Sequence, residues 1–142
     1  MKKIFHVISS FVLFIALAYI LDEIKITMII YPIILGSLAP DLDLAFGSHR
    51  NFLAHSISIP ILIFLFDMST INALYILAFA FHCLCDVSFR PSKWTGFYTI
   101  KMYRHTIFFG AEEKSAGALT TLWLFVNAFI GIMLFGLYIY LV

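Results

Sequence analysis

The chain has 142 residues, 63% of them hydrophobic and only 12% charged, with a mean hydropathy of +1.02 and a formal net charge of +1. A soluble domain sits at about half apolar and about a quarter charged, so this composition calls for lipid around a single unit, residues 1–142. No dense basic run exists to follow a phosphate backbone, so no nucleic-acid partner is expected.

Five apolar runs follow in chain order: residues 4–21, 24–39, 52–66, 70–89 and 118–142. They predict an all-α, polytopic membrane bundle of about five helices. The first run, with Lys2-Lys3 ahead of it and Ala16-Leu17-Ala18 within it, also fits a cleaved signal peptide. An uncleaved anchor is the favoured reading, because it keeps His6 near the polar clusters described next. The second run stops at Pro40, which cannot continue a helix, and the fourth ends before Pro91. A full span takes roughly 20 residues, so the second and third runs are short and suit a site sunk below the membrane surface. Between the last two runs, residues 90–117 mix Arg90, Lys93, Lys101, Arg104 and Lys114 with Trp94, Phe97, Tyr98, Tyr103, Phe108 and Phe109. Cationic and aromatic groups together suit the headgroup layer, as an interfacial loop or lid.

Basic residues set the orientation. With the N-terminus inside, Lys2, Lys3, Arg50, Arg90, Lys93, Lys101, Arg104 and Lys114 fall on the cytoplasmic side and Lys25 alone outside, which accounts for all nine Lys and Arg residues. The expected location is the cell (inner) membrane, crossed several times. Cys83 and Cys85 are two apart, roughly 200° around a helix, and are read as small buried hydrophobes rather than a bridge.

Three polar clusters interrupt the apolar runs, all on the inner side of this topology: Asp41-Leu42-Asp43, then His49-Arg50 with His55-Ser56, then His82 and Asp86. Ionisable groups are costly in lipid and mark function when gathered at one depth. His82 and Asp86, four apart, share a helix face, where they could share a metal, orient one another or simply tie helices together. Asp41 and Asp43 face the same way if the segment after Pro40 is extended, and two close carboxylates favour a cation between them. His55 falls in the first turn of the third helix, with His49 in the loop before it. Ser56 could cap a turn. Arg50 is the natural clamp for an anionic oxygen pair. Together Asp41, Asp43, His49, His55, His82 and Asp86 form a candidate ligand set for one or two divalent ions. Zinc suits the mixed histidine and carboxylate donors best, with manganese, iron and magnesium as alternatives. Asp41, His55 and Asp86 are the candidate catalytic groups and Arg50 the substrate-binding one.

At these residues the chain resembles the membrane-bound, metal-dependent hydrolases whose prototype is a LexA-regulated bacterial inner-membrane protein. The resemblance lies in Gly36-Ser37-Leu38-Ala39-Pro40-Asp41-Leu42-Asp43, in His49-Arg50 leading to His55-Ser56, and in His82-x-x-x-Asp86. Asn51 and Ala54 depart from the commoner Gly and Thr of that pattern, and the spacing is one residue longer. The family is distantly similar to zinc-dependent phospholipases C. The resemblance thus implies a hydrolase acting on a phospholipid or phosphorylated lipid at the cytoplasmic face. Two other classes fit the residues: a metal-binding or metal-transporting membrane protein, and a non-catalytic scaffold that binds a cytoplasmic regulator through residues 90–117.

Overall fold

The computed structural model describes residues 3–20, 25–42, 54–87, 99–102, 105–108 and 113–142. Among these residues five helices lie in chain order: α1 (Lys3–Ile20), α2 (Ile26–Leu38), α3 (Ser58–Phe66), α4 (Thr70–Asp86) and α5 (Glu113–Leu141). Between α4 and α5 stands a two-stranded antiparallel hairpin, β1 (Thr99–Met102) and β2 (His105–Phe108), in the register Thr99↔Phe108 to Met102↔His105. The hairpin was not expected from the sequence. Its β-branched residues, Thr99, Ile100, Thr106 and Ile107, fall in three of the four cross-strand pairs, with Ile100 opposite Ile107, which suits a pleated ribbon. The expected lid otherwise lies largely outside the described residues, with Trp94, Phe97, Tyr98, Tyr103 and Phe109 among those not described.

The helix ends follow local chemistry. Ser69 caps α4 by accepting from the Asn72 backbone N–H, which fixes the start at Thr70. After α2, Pro40 to Leu42 form a 3₁₀ turn, closed by the Leu42 N–H donating to the Ala39 carbonyl at 3.1 Å. Asp41 therefore sits in a tight turn and not in the extended segment that its alternation with Asp43 had implied. α3 is shorter than the apolar run predicts. Ser56 Oγ accepts from the Ser58 N–H at 3.3 Å and bonds Ser58 Oγ at 2.8 Å, so residues 54–57 turn before the helix begins. Pro60 then falls within the first helical turn, where its missing N–H costs nothing. His55 thus precedes α3 instead of lying in its first turn.

α4 is the central element. It packs against α2, α3 and α5, and more lightly against α1, while α1 packs mainly on α2. Two apolar clusters flank it. Leu74, Leu77 and Ala78 meet Phe14, Ile29, Ile33 and Phe135 on one side. On the other, Ile76, Phe79 and Cys83 meet Ile57, Leu124 and Ala128. Two glycines permit these approaches. A Cβ on Gly36 would collide with Ala78 Cβ and come within 2.8 Å of the Phe79 backbone N, and one on Gly131 would lie 2.6 Å from Ala80 Cβ. Close approach through small residues is how helices pack where no water drives them together.

Among the described residues one helix, over Thr121–Leu141, is long and apolar enough to cross a membrane, and 28% of its most apolar 18-residue window is buried within the protein. Val7–Ile20, Thr27–Leu42 and Thr70–Asp86 are apolar but shorter. By helix length the polytopic bundle expected from the sequence is therefore not supported beyond α5: α2 stops before Pro40, and the turn before α3 shortens the third helix to nine residues.

Candidate metal centre

Four buried side chains meet at the end of α4: Asp41, His55, His82 and Asp86. Each offers one donor atom, and these atoms all lie within 4.8 Å of one another, so the group could hold a metal ion. Three separate elements deliver them. The turn after α2 carries Asp41, the turn before α3 carries His55, and the last turn of α4 carries His82 and Asp86. His82 and Asp86 share a face because four residues make about one turn.

Asp86 is the hub. Its Oδ2 stands 3.6 Å from His55 Nε2 and 3.8 Å from His82 Nε2, while Asp41 Oδ1 stands 4.0 Å from His82 Nε2. The two imidazole rings are 5.5 Å apart, tilted by 50°. These separations exceed a hydrogen bond. They approach the spacing of donors around one ion, about 3.3 Å for tetrahedral zinc with bonds of roughly 2.0–2.1 Å. An ion at the centre would draw the set slightly inward.

The tautomer of His82 is fixed by its surroundings. Its Nδ1 lies 2.8 Å from the Ser37 backbone carbonyl, which can only accept, so Nδ1 carries the proton and donates it. In the neutral ring, Nε2 then presents a lone pair to the oxygens of Asp41 and Asp86. Lone pair facing carboxylate is repulsive unless a proton or a cation lies between. An imidazole held through one nitrogen and aimed by the other is the usual arrangement of a metal-binding histidine. The donor set and its surroundings therefore fit a divalent ion.

The carbonyl that holds His82 belongs to the last turn of α2, where carbonyls have no partner within the helix. The Ser37 hydroxyl has a different task and donates to Ser10 Oγ of α1 at 2.8 Å, buried between the helices. Ser37→Ala is accordingly expected to cost about 1 kcal/mol of stability while leaving metal affinity unchanged, as checked by thermal unfolding alongside zinc titration.

Of the residues expected at the site, Asp41, His55, His82 and Asp86 are brought together, and Asp43, His49 and Arg50 lie outside the described residues. The side chain of His6 is likewise not described. Cys83 and Cys85 are free thiols, Cys83 fully buried, consistent with the absence of a bridge between them. Sequence reasoning passed over Ser37 and Asn127. A backbone carbonyl leaves no trace in side-chain identity, so the role of Ser37 carried no signal. Asn127, a lone amide inside the apolar stretch 118–142, did carry one. Comparison with known protein families, with characterised proteins and with solved structures gives no match for this chain.

Proposed function

We propose that the chain is a membrane-embedded, metal-dependent hydrolase that cleaves a phosphoester, with a phospholipid or lipid phosphate at the cytoplasmic face as its substrate class. The observation that carries this reading is the buried convergence of two carboxylates and two histidines from three elements. Among the described residues no second group of three or more such donors occurs, which favours a single reaction centre over a relay of binding sites across the bilayer.

The membrane placement draws support from the outer faces. Val12, Ile30, Leu62, Phe66, Phe129 and Met133 are all exposed, and apolar surface this extensive supports a lipid surround. Alongside α5, the shorter helices are proposed to lie in the bilayer as well. The 17 residues of α4 reach about 25 Å, somewhat less than a hydrocarbon core of about 30 Å. Such a helix leaves its final turn, and with it the site, just below the inner headgroups. Lys25 is exposed at the opposite end of α2 from Asp41, in keeping with an outer position for Lys25 and an inner one for the site.

Zinc is the proposed ion, since two imidazole nitrogens and two carboxylates match its preferences. When bound, it would supply Lewis-acid charge and lower the pKa of water. The protein's own groups hold and orient. The Ser37 carbonyl keeps His82 in one tautomer, and Asp86 stands within reach of both rings. Asp41 adjoins the exposed Leu42 and is the carboxylate proposed to take up the proton of the attacking water. Arg50 is proposed to bind the anionic group of the substrate. The family resemblance seen in residues 36–86 points to the same chemistry.

The test uses protein purified in detergent, with metal measured by elemental analysis and phosphate release measured on vesicles of phosphatidic acid or of intact phospholipid. Wild type is expected to carry a divalent ion, and chelation is expected to abolish hydrolysis until zinc is returned. A folded wild type that is metal-free and takes up no zinc would overturn the proposal, as would turnover indifferent to chelation.

A further inference from the structure

We infer that Asn127 of α5 is a positioning residue for His55, holding the turn that delivers this histidine to the other three donors. The inference rests on the metal-centre reading and extends it to a helix that contributes no ligand.

The turn over residues 54–57 has no helix of its own to stiffen it, yet it must place His55 against Asp86. Two outside groups hold its backbone. The Ile57 N–H donates to Asn127 Oδ1 at 2.8 Å, and the Cys83 thiol reaches the His55 carbonyl at 3.8 Å. Of the two, the amide bond is the stronger, since thiols are weak donors. Asn127 is itself oriented, because its Nδ2 donates to the Trp123 carbonyl one turn earlier at 2.7 Å. The side chain is 2% exposed, so no water competes for either bond. One turn further along α5, Gly131 lets the helix close on Ala80 and on Ile57 Cδ1. The amide thus spans from α5 to the turn with both ends used.

A polar side chain in an apolar helix can serve merely to join helices. Here it meets the backbone of Ile57, two residues from a metal-ligand candidate. Position 127 therefore needs an acceptor for Ile57 and a donor for Trp123. A buried aspartic acid, neutral by desolvation, retains both, whereas leucine retains neither.

The experiment compares wild type, Asn127→Leu, Asn127→Asp, His55→Ala and the double variant His55→Ala with Asn127→Leu, each by zinc competition against a chelator. The ring signals of labelled histidines are also recorded by NMR without metal. Asn127→Leu is expected to weaken zinc binding by about 10–100-fold, as for other outer partners of metal ligands, with Asn127→Asp within about threefold of wild type. In the His55→Ala background, Asn127→Leu is expected to add nothing. The His55 ring signals are expected to move in Asn127→Leu while those of His82 stay. Wild-type affinity in Asn127→Leu, an equal loss with His55 absent, or unmoved His55 signals would overturn the inference. If wild type takes up no zinc, the metal reading falls, and the ring signals alone decide the role of Asn127.

Discussion

Asp86→Asn is expected to lower divalent-ion affinity by more than about 100-fold, beyond the 10–100-fold seen when only an outer partner of a ligand is lost. Asp86 Oδ2 stands at 3.6 and 3.8 Å from the two histidine nitrogens, so it is the oxygen that both rings address. Asparagine keeps the shape but gives up the negative charge. The expected effect on stability has a different sign in each state. Without metal, the variant removes one of two neighbouring carboxylates, Asp41 and Asp86, and should melt no lower than wild type. With zinc at about 100 times the wild-type Kd, wild type should gain about 2.7 kcal/mol from binding, and the variant should gain almost nothing. Thermal unfolding in detergent with and without zinc reads both. A variant stabilised by zinc as strongly as wild type would remove Asp86 from the centre. Such a pattern separates a ligand from a merely structural acid, whose loss would lower the metal-free melting temperature instead.

Much of this centre was legible because its donors are rare residue types in an apolar chain. His82 and Asp86 could be paired from spacing alone, since the helix period fixes their common face. His55 and Asp41 were assigned from the positions of hydropathy breaks, and here the local geometry went astray. Asp41 was read in an extended segment because alternation with Asp43 invites it. The 3₁₀ turn arises instead from Pro40 and the Leu42-to-Ala39 bond. His55 was placed inside a helix because residues 52–66 are largely apolar, yet Ser56 and Ser58 bond one another and delay the helix start. Hydropathy reports burial and is blind to such short side-chain competition with the backbone. The hairpin of β1 and β2 escaped for a related reason. Its two four-residue strands are too brief for periodicity to announce, and the aromatic and basic residues around them read as a headgroup loop. Least legible were the tethers, the Ser37 carbonyl and the Asn127 amide, whose meaning depends on what the fold sets opposite them.

Gly36→Ala is the smallest change expected to disturb fold and site together. In a helix interior, alanine is favoured over glycine by about 1 kcal/mol, so on propensity alone the variant should be more stable. Gly36, however, lies where α2 touches α4. The added Cβ meets Ala78 Cβ and, at 2.8 Å, the Phe79 backbone N, and a backbone cannot step aside as a flexible side chain can. Overpacking of this kind costs about 1–3 kcal/mol, and the helices are expected to part. Ser37 follows Gly36 directly and Asp41 lies five positions on, so the same shift draws the Ser37 carbonyl away from His82 Nδ1 and Asp41 away from the cluster. Zinc affinity is therefore expected to fall about tenfold or more, like the loss of an outer partner. Two further substitutions set the scale. Gly131→Ala meets Ala80 Cβ at 2.6 Å and the movable end of Ile57 at 3.1 Å, and should be milder, whereas a Cβ on Gly136 meets nothing within 4 Å, so Gly136→Ala should raise stability by up to about 1 kcal/mol and leave affinity intact. Removing the opposing methyl with Ala78→Gly should restore part of the loss in Gly36→Ala, the rest remaining because Phe79 N stays where it was. If all three glycine variants melt alike, or if Gly36→Ala binds zinc as wild type does, then the close approach of α2 to α4 is not what aligns the centre.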